Sequence, residues 1–350
     1  VTFAARAGVA GMPGIASHIA AHFAMTIQGI GMPTPSLQSS KRSASIGRRP
    51  WGCVALWMVA YALPNPGAAI SFVAPANQPQ VGIQPTSIAT ADFNGDGVID
   101  LAVTNFDETP EAPAPGTTIS ILLGNGNGTF APQTLFTTGA GPRYVVAARL
   151  NADSHIDLAI ANYWGDSVTI LLGQGDGTFV GGNALAAGDA PFTMDVALLN
   201  GDAHRDLAVT NSGDGTISIF LGNGDGTFAA PTSIAAGGTT PTAITIADTN
   251  GDLAMDLVYT TGFDLQQRLG AGNGTFAAPV SLGALNGSEG ITTGSFNADS
   301  IPDVAATSTG TSMAYVYVGN GNGTFSAPSS TSTGSSPYSI VAQDFNGDEK

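Results

Sequence analysis

Asp92, Asn94, Asp96 and Asp100 occupy positions 1, 3, 5 and 9 of the run DFNGDGVID. Oxygen-bearing side chains at alternate positions let a short loop direct several ligands to one point. The carbonyl of Val98, at position 7, adds a backbone oxygen, and Gly97 allows a sharp bend. Six or seven oxygens of this kind suit a hard divalent cation, and Ca2+ is the expected ligand.

Copies of the same loop begin at Asp92, Arg149, Leu198, Asp248, Ser295 and Asp344. The second keeps Asn151, Asp153 and Asp157, and the third keeps Asn200, Asp202 and Asp206. The fourth is complete, with Asp248, Asn250, Asp252, the carbonyl of Ala254, and Asp256. Its Leu253 stands where the first has Gly97, so a positive φ there would cost roughly 1–2 kcal/mol. The fifth offers Ser295, Asn297, Asp299 and Asp303; the sixth offers Asp344, Asn346 and Asp348 before the sequence stops at Lys350. The expected order of occupancy is loop one, then four, then five, with affinity on the order of 10⁻⁴ to 10⁻³ M. Leu198 cannot ligate. Arg149 is expected to replace the cation in loop two by pairing with Asp153 or Asp157. The competing role for all these carboxylates is to cap turns through Asx hydrogen bonds. A helix–loop–helix calcium site would need Glu at position 12, where Val103 stands, and helical flanks, whereas LAVTNF reads as strand.

No nucleophile–base set emerges. His155 and His204 both fall at position 7 of their loops, whose role is backbone, and no serine lies in a nucleophile elbow. The GNGNG runs lie between strands, not at helix starts, so they cradle no phosphate. Acidic residues outside the loops include Asp107, Glu108, Glu111, Asp166, Asp189, Asp195, Asp214, Asp264 and Glu289; an acid/base pair among them stays open, since spacing alone does not show one. Aromatic residues in loops are better material for binding. Tyr163, Trp164 and Phe263 follow second strands, as does Phe106; Arg143, Tyr144 and Phe192 stand ahead of first strands. Loop aromatics on a rigid scaffold are candidate ligand contacts, for sugar faces among others; packing in seams is the competing use.

The elements that position these loops recur with a period near 49 residues. Glycine-rich turns end at Phe130, Phe179, Phe228, Phe276 and Phe325. Each repeat divides into four strand-sized runs; in the third they are 193–200, 206–212, 216–223 and 227–236. The Asn-Gly and Asp-Gly pairs before each phenylalanine supply the positive φ of tight hairpins. The phenylalanine is expected to plug the seam between neighbouring sheets. The first repeat carries extra residues at 109–116, whose prolines argue against a strand. Residues 71–82 align with 227–238, so they are expected to add a fourth strand to the last sheet of a ring.

Composition agrees. The chain has 350 residues, 47 glycines, 10% charged residues and a net charge of −16. Residues 1–80 hold five basic and no acidic residues; the remainder holds all 26 acidic residues. So acidic a surface repels nucleic acid and suits cations. The one cysteine, Cys53, excludes an internal disulfide. Residues 1–40 show no period and are read as unstructured or upstream of the true start, Met25 or Met32 being candidates. Their His18 and His22 lack a third ligand. Residues 41–69 read as a signal peptide: Lys41, Arg42, Arg48 and Arg49, then the apolar run 51–63, then small residues ending at Ala69. Thirteen apolar residues are too few for a span of about 20.

The coupled phrases DFNGDGVIDLAV and LGNGNGTF resemble the FG-GAP/VCBS repeats of integrin-α-type propellers, and the resemblance covers about 71–350. It implies an all-β fold, a β-propeller of four-stranded blades over residues 70–350. Its repeats start near 84, 141, 190, 240, 287 and 336, five of them complete and the sixth cut short. It also implies calcium between the first two strands and, as in many bacterial relatives, export. The expected protein is secreted or on the cell surface, a non-catalytic interaction module. Its partner is an extracellular protein or glycan, and no membrane span remains in the mature chain. A lectin or a polysaccharide-degrading enzyme on the same scaffold is the alternative.

Overall fold

The computed structural model describes residues 79–107, 115–297 and 299–344, together with the strand pieces Ala4–Ala7, Phe23–Ala24, Val59–Ala60 and Phe72–Val73. The 109–114 insertion, Asn346 and Asp348 lie outside them, as does nearly all of the expected signal segment.

Among the described residues, five antiparallel four-stranded sheets follow one another, each a simple meander of consecutive strands. In the third repeat the strands are Pro191–Ala197, Asp206–Asn211, Thr216–Phe220 and Thr232–Ala235. The fourth is shorter than the sequence suggests. Phe228 first makes an isolated bridge to Gly222, and the Ala229 amide bonds the Leu221 carbonyl before pairing resumes past Pro231. In the first repeat the third strand opens at Pro115, inside the insertion expected to be strand-free. Proline is tolerated at a strand's first residue, where no amide is needed.

The first strands of successive repeats contact one another in order, from Ile83–Ala91 to Pro337–Val341, so they are innermost. The second strands, such as Asp206–Asn211, are buried along their whole length because both faces meet a neighbouring sheet. Along that strand Leu207 and Val209 enter the seam with the second sheet, while Ala208 enters the seam with the fourth. Period-two alternation thus divides one strand between two cores. Fourth strands lie outermost and are mostly exposed.

Four of the five turn phenylalanines take their expected places, while Phe130 packs only within the first repeat. Phe179 packs edge-on against Phe93 of the preceding repeat at 5.6 Å, and Phe228, Phe276 and Phe325 line the next three seams. A second stitch recurs beside them. The amides of Gly177, Gly226, Gly274 and Gly323 donate to the carbonyls of Phe93, Leu150, Leu199 and Thr249, one repeat earlier. These glycines have φ near +80°, between +77° and +83°, as a tight hairpin requires.

Phe72–Val73 does not complete the last sheet. It pairs with Val59–Ala60, while Pro337–Val341 pairs with Ala4–Ala7. Among the described residues no helix is long and apolar enough to cross a membrane.

Candidate functional site: acidic loops at one end, an aromatic cluster at the other

Each meander places the acidic loop and the glycine turn at one end of its sheet. The connections between second and third strands, and between repeats, lie at the other. The two sets of predicted site residues are therefore separated by the length of a blade.

At the acidic end, loop one folds on itself. Asp92 accepts the amides of Gly95 and Gly97 at 2.7 and 2.8 Å; Asn94 accepts that of Asp96, and Asp96 that of Val98. Amide donors to Asp92 hold its carboxyl below the usual carboxylate range. Asp100 is buried, and its two oxygens accept the amides of Phe93 and Gly124 at 2.8 and 2.7 Å. Its pKa is raised, chiefly by burial and further by the carboxylates of Asp96 and Asp92.

Position 9 acts the same way in every described loop. Asp157 accepts Leu150 and Gly173, Asp206 accepts Leu199 and Gly222, and Asp303 accepts Phe296 and Gly319. Asp256 accepts the Thr249 and Gly270 amides and also the Thr249 hydroxyl. Position 9 is thus a buried clamp tying the end of the first strand to the glycine turn. The amide at position 7 donates to the position-5 carboxylate throughout, through Val98, His155, His204, Ala254 and Ile301. The histidines are loop backbone, as their register implied.

Loop four repeats loop one closely. Asp248 accepts Gly251 and Leu253, Asn250 accepts Asp252, and Leu253 adopts φ +70°. Loops two, three and five lack the position-1 cap. Ser295 instead donates to the carbonyl of Asp299, while Asn297 accepts the Asp299 amide. Asp344 lies at the exposed start of the sixth loop. Arg149 does not replace a cation: it is exposed and pairs with neither Asp153 nor Asp157. Asp157 is already held by two amides, and Asp153 faces His155 at 3.7 Å.

Among the described residues no three His, Cys, Asp or Glu side chains converge as a finished metal cage. The reason is visible in loop one, where the oxygens are turned onto amides as Asx caps. The donor set nonetheless fits Ca2+ chemically. Three carboxylates and an amide oxygen share one short loop, two of the carboxylates act on the third, and among the described residues no basic side chain forms a salt bridge with any of them.

At the opposite end, four aromatic rings meet. Tyr163 and Trp164 are edge-on at 4.8 Å; Phe106 lies 6.0 and 6.1 Å from them, and Phe192 lies 6.1 Å from Tyr163. The turn carrying the pair is pinned to the preceding connection by the Tyr163 and Trp164 amides, which donate to Gly141 and Ala140. Gly141, at φ +64°, lies so close that a Cβ would stand 2.2 Å from the indole. Arg143 stacks 3.5 Å over Phe192, lies 5.8 Å from Tyr163, and donates to Glu289 at 3.2 Å. Tyr338 completes the group, raised to about 12 by burial and by Glu289.

Tyr144 and Phe263 do not join this cluster. Tyr144 packs in the seam between the second and third sheets, and burial pushes its hydroxyl up to about 12. Phe263 is 71% exposed on the fourth repeat. Sequence reasoning missed Glu289 and Tyr338 as site residues. The signal was register: seven positions before... the start of each acidic loop stands Pro85, Pro142, Pro191, Pro241, Ser288 or Pro337, followed by Thr86, Arg143, Phe192, Thr242, Glu289 and Tyr338. One position of the inner strand, six times over, supplies most of the cluster.

Two stretches, residues 199–259 and 295–350, match the FG-GAP-like repeat. No curated protein matches the sequence. Among solved structures, a lectin of Agrocybe aegerita that recognises non-reducing terminal N-acetylglucosamine is similar, with TM-score 0.54 and 18% identity over 81% of this chain and 78% of that one. So is the periplasmic gluconolactonase PpgL of Pseudomonas aeruginosa, with TM-score 0.54 and 15% identity over 78% and 76%. At such identities the likeness concerns fold alone. The sheets and their order make this chain a β-propeller, and two stretches of it, 199–259 and 295–350, match the FG-GAP-like repeat.

Proposed function

We propose that this chain is an exported, calcium-binding propeller that serves as a non-catalytic interaction module. The observation that carries the calcium reading is the crowding of Asp92, Asp96 and Asp100 in one loop with no salt bridge from a basic side chain among the described residues. A bound Ca2+ supplies the missing positive charge and fixes the loop that stitches adjacent sheets. Asp92, Asn94, Asp96, Asp100 and the Val98 carbonyl would hold it in loop one. Asp248, Asn250, Asp252, Asp256 and the Ala254 carbonyl would hold it in loop four. Export rests on the basic run before the apolar segment 51–63.

The test is calorimetric titration of the full chain with Ca2+, beside the Asp92→Asn/Asp96→Asn variant, with melting followed in calcium and in chelator. The variant should lose the tightest site, and chelator should lower the Tm of the wild type. Equal melting in both solutions, with no heat of binding, removes calcium from the account. Calcium-dependent turnover of an anionic polysaccharide would replace the module with an enzyme.

A further inference from the structure

The cluster at the end opposite the acidic loops gathers rings from three successive repeats: Phe106, then Tyr163 and Trp164, then Phe192. The Arg143–Glu289 pair joins the second repeat to the fifth, which are not neighbours in the ring, so the contact lies across the propeller axis. Core-filling residues at equivalent positions tend to share a type. Here Thr86, Arg143, Phe192, Thr242, Glu289 and Tyr338 share a register and little else. Trp164 remains 56% exposed beside them, although its backbone is pinned and Gly141 leaves room for its ring. An indole with a pinned backbone and more than half its surface in water offers apolar area to a ligand.

The charges narrow the ligand. The guanidinium of Arg143 already covers the Phe192 ring and is neutralised by Glu289, so the pair presents no net charge to draw in a cation or an anion. An anion would have to displace Glu289 from the same guanidinium. What the pair offers together is a set of donors next to a set of acceptors, which suits vicinal hydroxyl groups. Tyr163 spans the gap, 4.8 Å from the indole and 5.8 Å from the guanidinium. We propose that this axial mouth binds a neutral pyranose, its C–H face on Trp164 and its hydroxyls on Arg143 and Glu289. This deepens the interaction-module reading and rests on it.

The experiment screens the full chain on an array of neutral and acidic glycans. Titrations with glucose, galactose, mannose, N-acetylglucosamine and glucuronate follow, for wild type, Trp164→Ala, Trp164→Phe, Glu289→Gln and Phe263→Ala. At least one neutral sugar should bind. Trp164→Ala should weaken it tenfold or more, Trp164→Phe by less, and Glu289→Gln about fivefold. Phe263→Ala, an exposed aromatic outside the cluster, should stay within twofold. No binding of any neutral glycan, tighter binding of glucuronate, or full affinity in a folded Trp164→Ala protein overturns the proposal. Calcium titration of the same sample separates the two ideas: calcium uptake without sugar binding sinks this one and leaves the metal standing.

Discussion

The Arg143 guanidinium meets the Glu289 carboxylate at 3.2 Å although 146 positions separate them in the chain. Each side chain is about four-fifths buried, with exposures of 20% and 22%. Burial raises Glu289 and lowers Arg143, and each partner opposes the shift of the other. Removing one member leaves the other desolvated and alone. Glu289→Ala should therefore destabilise the protein by about 2 kcal/mol, and a double-mutant cycle with Arg143→Ala should show clear coupling. Additive losses in denaturant unfolding would mean that the pair does not hold the repeats together.

Asp195 provides a pH test. Its oxygens accept the amides of Val196, at 2.8 Å, and of Ile246 in the next repeat, at 2.9 Å. Burial outweighs these bonds and raises its pKa to about 6. Between the ordinary value of 3.8 and about 6, the folded state keeps a proton that the unfolded chain has released. Its stabilising contribution is complete below that window and is lost as pH rises through it. Asp195→Asn removes the titration. Its stability relative to wild type should rise between pH 4 and pH 7 by about 2 kcal/mol, the full pKa difference being discounted for partial exposure. A flat difference across that range in urea unfolding contradicts this.

Leu253 holds φ +70° with its side chain 88% exposed, where loop one has Gly97 at +81°. The side chain gains nothing from packing and costs backbone strain. Leu253→Gly should stabilise by about 0.5–1 kcal/mol, the relief of left-handed strain less the entropy of glycine. Leu253→Ala keeps the strain and should leave the Tm unchanged. Calorimetric melting of both variants decides.

The position-9 clamp can be tested apart from any metal in loop three, which lacks a first ligand. Asp206→Ala leaves the buried amides of Leu199 and Gly222 without acceptors and should cost about 2–4 kcal/mol. Asp202→Ala, in the same loop but exposed, should cost under about 1 kcal/mol. Equal losses from the two would show that the clamp is not structural.

The chain's local code determined its repeats, strands, turns and acidic loops. Those follow from spacing: oxygen donors at alternate positions, glycine where φ is positive, and apolar residues of period two facing two seams. Tertiary structure alone decided which residues of different repeats meet. Arg143 and Glu289 look like unrelated charges in the sequence, because their contact depends on the curvature of the ring. Arg149 carries the right charge for its loop yet stays exposed, because two backbone amides already hold Asp157. Tyr144 and Trp164 are both aromatic and near strand ends, but one inner strand turns Tyr144 into a seam while a glycine-backed turn leaves Trp164 in water. Period and composition are properties of neighbours in sequence; a site across an axis is a property of how sheets pack around it.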